Sequence, residues 1–116
     1  MPFGNQAWIR PHEALSQLPT TDGTRFASVL HRSAFDVEIY APRGIDAQAP
    51  HSRDEIYVVI AGTGMFRNGG RTHSFGPGDL MFVPAGVEHR FEAFDDDLAV
   101  WVIFSGDDPS AAQGGR

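Results

Sequence analysis

From Arg25 onward, short apolar runs alternate with clusters of turn residues at intervals too brief for helices. Phe35, Val37 and Ile39 alternate with Asp36, Glu38 and Tyr40, which predicts a strand with one apolar and one polar face. Ile56-Tyr57-Val58-Val59-Ile60 is rich in β-branched residues and reads as strand. Val100-Trp101-Val102-Ile103-Phe104 is apolar on both faces, so its outer side needs cover from a dimer partner or from the N-terminal segment. The same reading along the chain predicts strands over 25–31, 35–40, 55–60, 64–67, 71–75, 80–83, 89–94 and 98–104. Asn68-Gly69-Gly70 supplies the positive φ of a tight hairpin, and Gly76-Pro77-Gly78-Asp79 makes a second reversal. Ahead of the strands, Pro11 and Pro19 bracket one or two turns of helix. Short strands in this number with no long helix between them predict an all-β sandwich or barrel. The predicted organisation is an N-terminal segment with a short helix (1–24), a barrel (25–104) and a flexible C-terminal tail (105–116) that lacks apolar anchors.

Composition narrows the chemistry. The 116 residues suffice for one self-sufficient core. There is no cysteine and no lysine, which excludes disulfides, thiolate nucleophiles and Schiff bases. Histidine, carboxylate, tyrosine and bound metal remain. A net charge of −6 without a basic cluster argues against nucleic acid or anionic membrane as a partner and favours a small molecule. Residues 1–16 lack a basic start followed by an apolar stretch, and no apolar run approaches the roughly 18 residues of a membrane span, so a cytoplasmic location is expected.

Two blocks carry the candidate chemistry: His51-Ser52-Arg53-Asp54-Glu55 closing on Gly62, and Gly78 through Pro84 and Gly86 to His89. On an extended chain, side chains repeat every second residue, so 51, 53 and 55 share a face. His89 arrives on a separate strand after the Pro84/Gly86 turn. Two imidazoles and one carboxylate suit a single divalent transition metal, with iron, manganese, nickel, copper and zinc all compatible, and leave coordination positions open. Arg53 shares the inward parity and is placed to fix an anionic group by paired hydrogen bonds, or else to form a rim salt bridge with a carboxylate such as Asp54. Tyr57 and Phe91 continue that parity as an aromatic lining, which suits either a ligand-binding lumen or a filled core.

These blocks resemble the two motifs of the cupins, specifically small single-domain bacterial cupins of the type-2 kind. In the first motif His51, Glu55 and Gly62 match the second His, the Glu and the closing Gly. The first His falls on Ala49, and Gly44 stands one place late for the leading Gly. In the second motif Gly78, Pro84, Gly86 and His89 match, and Ala93 stands where an Asn would be. The resemblance implies a small jelly-roll β-barrel, or double-stranded β-helix, with a metal at His51, Glu55 and His89. It also implies a function drawn from metal-dependent enzymes such as dioxygenases and isomerases, or from proteins that only bind or sense small molecules. Water is the expected replacement for the missing His. Gln48 has an amide oxygen to offer, but from the wrong parity unless the loop is irregular.

The competing reading of His51, Glu55 and His89 is a hydrogen-bonded polar cluster without metal. His12, His31 and His73 lack partners at ligand spacing. Asp95-Asp96-Asp97 lacks the spaced oxygens of a calcium loop and reads as a solvated turn. A small barrel with a doubly apolar strand is expected to be a homodimer.

Overall fold

The computed structural model describes residues 3, 4, 6–46 and 48–106. A short helix, α1 (Pro11–Leu15), precedes strands β1 (Phe26–His31), β2 (Phe35–Tyr40), β3 (Glu55–Ala61), β4 (Gly64–Asn68), β5 (Arg71–Phe75), β6 (Leu80–Val83), β7 (His89–Glu92) and β8 (Ala99–Ser105). All the predicted strands form, with bounds that differ by a residue or two at their ends. Of the predicted tail, Ser105 belongs to β8 and Gly106 donates its N–H to Ala34 O at 2.8 Å. Residues 107–116 lie outside the described residues.

The strands make two antiparallel sheets, β1-β2-β8-β3-β6 and β5-β4-β7, that face each other as a jelly roll. Between them lies an aromatic core of Tyr57, Phe66, Phe91 and Phe104 with Val59, Val83, Leu98 and Val102, all almost completely buried. Phe91 sits at its centre, with its ring 4.8 Å from that of Phe66 and 5.1 Å from that of Tyr57. The aromatic lining is therefore largely filled core.

β2 turns its polar face inward. Asp36 and Tyr40 pair across with Phe104 and Val100 on the core side, whereas Val37 and Ile39 lie on the outer face. The cause is the N-terminal segment. Phe3, Ile9, Ala14, Leu15 and Leu18 pack over Val29, Ile39 and Trp101 as a second apolar cluster on the outside of the large sheet. Alternation on β2 thus reports burial on the outer face, under the segment that also covers the Trp101 side of β8. Pro11 at the first helical turn and the Glu13 carboxylate, which accepts the Arg10 N–H at 2.7 Å, start the helix that carries Ala14 into this cluster.

The β3–β4 turn depends on Gly62. Its φ is +95°, and a Cβ built there would lie 2.6 Å from Leu98 Cα. Gly62→Ala therefore meets both a disfavoured backbone conformation and a backbone collision. A loss of about 2 kcal/mol or more is expected, measured by denaturant unfolding. An unchanged midpoint would show that the turn relaxes freely.

Candidate metal centre

Local pairing brings the two blocks together. Glu55 at the start of β3 pairs with Val83 at the end of β6. The chain then turns through Pro84 to Gly86, where the N–H of Gly86 donates to His51 O at 2.7 Å and that of Ala85 to Asp54 Oδ1 at 2.8 Å. Gly86 takes φ +81°, which a glycine adopts without strain. The turn is thereby tied to the very segment that carries His51. β7 then brings His89 in from the opposite sheet, opposite Asn68 on β4.

His51, Glu55 and His89 converge in the interior at 8, 1 and 2 % exposure. Glu55 Oε1 lies 2.9 Å from His51 Nδ1 and 2.8 Å from His89 Nε2. One potential ligand atom from each residue falls within 4.8 Å of the others. His89 Nδ1 lies 2.9 Å from Val87 O, a contact that requires the ring to donate from Nδ1. In the neutral ring, Nε2 then presents a lone pair to a carboxylate oxygen. Two acceptors at that distance need a proton shared between them, carried by the ring or by the carboxyl group, or a metal ion that both bind. Burial, donor type and ring orientation all fit a divalent metal ion.

Tyr57 and Gln48 extend this group. The Tyr57 hydroxyl lies 3.1 Å from His89 Nε2 and donates to Gln48 Oε1 at 2.8 Å. Gln48 Nε2 in turn donates to Asp46 Oδ2 at 2.6 Å. Asp46 is itself buried, and accepts from the Tyr40 hydroxyl and, at 2.8 Å, from the Phe91 N–H. Gln48 thus turns inward whereas Ala49 is exposed, because residues 48–54 form no regular strand and strict alternation does not hold there. Asp46, which orients Gln48, escaped the sequence reading. Its signal, one acidic residue between Gly44 and the first block, is indistinguishable from a loop carboxylate.

Arg53 is buried too, but its guanidinium lies over the Phe104 ring, 4.9 Å from the centroid. Nη1 donates to Asp36 Oδ2 at 2.8 Å and to Gly106 O at 2.6 Å. Its carboxylate partner is Asp36, which also bonds to His31, and not Asp54. His12 and His73 are exposed. Asp95 holds the Thr63 N–H, at 3.2 Å, and the Asp97 N–H, also at 3.2 Å, as a structured turn. Ala93, where the resemblance places an Asn, has φ +47°, a left-handed conformation that asparagine tolerates better than most residues.

Comparison with known proteins agrees with this architecture. Residues 36–105 match the family model described as Cupin domain. An uncharacterized protein of Streptomyces coelicolor, SCO3923, is 42% identical over 99 residues, covering 84% of this chain and 93% of its own. Among solved structures, a cupin-2 domain containing protein from Shewanella frigidimarina superposes with a TM-score of 0.67 at 17% identity, covering 84% of this chain and 93% of that one. KdgF from a Halomonas species gives 0.64 at 21% identity, over 74% and 81%. Among the described residues, no helix is long and apolar enough to cross a membrane.

Proposed function

Because the chain belongs to the cupin family, we propose that it is a metal-binding cupin in which His51, Glu55 and His89 hold one divalent transition metal ion beside a site for a small, oxygen-bearing organic molecule. The observation that carries this reading is the buried convergence of His51, Glu55 and His89, each offering a ligand atom within 4.8 Å of the others. A bound divalent ion of the iron, manganese, nickel, copper or zinc type supplies Lewis acidity toward a carbonyl or enol oxygen. The chain's own contribution is Tyr57, whose hydroxyl, held by Gln48, is a proton-bearing group at the edge of the ligand set. That pairing suits a metal-dependent enzyme of the isomerase or dioxygenase kind.

A second reading, a non-catalytic binding or sensing module, draws support from the near-complete burial of the ligand set and from the engagement of the Tyr57 hydroxyl by Gln48. Turnover that a chelator abolishes favours the enzyme, and ligand binding without turnover favours the module. Elemental analysis of freshly purified protein tests the shared premise. About one equivalent of metal and a melting temperature lowered by chelation are expected. Metal-free protein indifferent to both chelator and added metal would leave the polar-cluster reading.

The assembly proposed is a homodimer. The outer face of the large sheet beyond the N-terminal segment leaves Leu80 63%, Phe82 49% and Phe35 36% exposed, and β6, which carries Leu80 and Phe82, is an edge strand. An apolar edge strand can pair with its own copy across a two-fold axis and bury these side chains. Sedimentation at micromolar concentration should give a dimer for the native chain and a monomer for Phe82→Glu. A native monomer would defeat it.

A further inference from the structure

Among the described residues, two arginines without carboxylate partners lie in one place. Arg25 and Arg43 line a depression of about 230 Å³ between the start of β1 and the segment after β2. Each is anchored through carbonyl oxygens alone. Arg25 Nε donates to Ala41 O at 2.8 Å, and Arg43 Nη1 donates to the carbonyls of Ala41, Pro42 and Leu98 at 3.2, 2.9 and 3.2 Å. Among the described residues, neither guanidinium forms an ion pair, although the chain has 15 acidic side chains. Both Nη groups of Arg25 and Nη2 of Arg43 make no hydrogen bond to another described residue. Burial, and then the charge of Arg43, push the Arg25 guanidinium below its ordinary value. An anion placed between them would favour the charged form of Arg25, and guanidinium forks match a carboxylate or phosphate with paired hydrogen bonds.

The same depression reaches Gln48, two hydrogen bonds away from the proposed metal centre. Gln48 lines it, and Gln48 Oε1 accepts from the Tyr57 hydroxyl that lies 3.1 Å from His89 Nε2. We propose that Arg25 and Arg43 form the anion-binding part of the ligand site, which takes the carboxylate or phosphate group of a small molecule whose remainder extends past Gln48 toward His51, Glu55 and His89. The inference deepens the proposed function and rests on it for where the ligand leads, but the arginine pair binds its anion whether or not metal is present.

The test therefore uses the full chain after chelation, titrated with inorganic phosphate or with succinate at ionic strength matched by chloride. The arginine Nε–H and Gln48 side-chain amide signals are followed by nitrogen-resolved nuclear magnetic resonance. Saturable shifts of Arg25, Arg43 and Gln48 are expected. Saturation by phosphate alone or succinate alone identifies the anionic group, and either supports the site. Arg43→Gln alters an exposed side chain and should weaken binding about tenfold, while Arg71→Gln, on β5, should leave it unchanged. Arg25→Lys keeps the charge but not the fork, and should weaken binding as well. Shifts that do not saturate or equal those of chloride, or binding unaltered in Arg43→Gln, would overturn the proposal. Metal content is measured on separate untreated samples, so failure of the metal reading leaves this result interpretable.

Discussion

Glu55→Ala and His89→Ala are each expected to leave the purified protein essentially without metal. Losing even an outer partner of a ligand commonly costs about 10- to 100-fold in metal affinity, and removing one of only three protein ligands costs more. Glu55 is the most exacting of the three positions, because its Oε1 contacts both imidazoles, at 2.9 and 2.8 Å. Glu55→Gln is the sharper variant, since it keeps the shape and removes the charge that a cation needs. Ala49→His should leave metal content unaltered, although the resemblance places a ligand at that position, because Ala49 is exposed and Gln48 is the residue that turns inward. Metal content is read by elemental analysis after dialysis against a weak chelator. Full occupancy in Glu55→Ala and His89→Ala would remove the metal centre from this cluster.

Arg53→Met is expected to destabilise the fold by about 3 kcal/mol, the cost typical of leaving one member of a buried ion pair without its partner. The Arg53 and Asp36 side chains are 8% and 12% exposed, so water offers little compensation. The methionine keeps part of the packing over Phe104 but loses the bonds to Asp36 and to Gly106 O. His31 remains as a partner for Asp36 and limits the loss. Asp36→Asn combined with Arg53→Met should recover part of the difference, because no unpaired charge is left behind. Denaturant midpoints for the two single variants and the double variant decide it. An Arg53→Met midpoint equal to that of the native chain would show that the contact contributes nothing to the fold.

The strands were legible because their period of two and their glycine-rich turns are local signals, and β3 to β8 follow them closely. The convergence of His51, Glu55 and His89 was legible in the spacing of the two blocks. Three things were not. Alternation on β2 reveals that one face is apolar but not which side of the sheet covers it, and here the cover comes from Phe3, Ile9, Ala14, Leu15 and Leu18 on the outside. Parity failed between Gln48 and Ala49 because it presumes an extended chain, and that segment is irregular. The Arg53 to Asp36 pair joins two segments with no sequence feature linking them, so a nearby Asp54 looked the better partner.

The region shared with the family begins at Asp36, one residue into β2, and so leaves out both β1 and the helix-bearing segment. Inheritance and physics divide the molecule differently. The stretch matched by the family model holds β2 to β8 and the residues His51, Glu55 and His89, yet the outward surface of Ile39 and Trp101 is covered by residues upstream of it. A strap of this kind can diverge freely in sequence so long as it stays greasy on one side, whereas the residues beneath it cannot become polar independently of it. Substitutions in the two should therefore be correlated across descendants, although only one of them lies within the stretch that the family model matches.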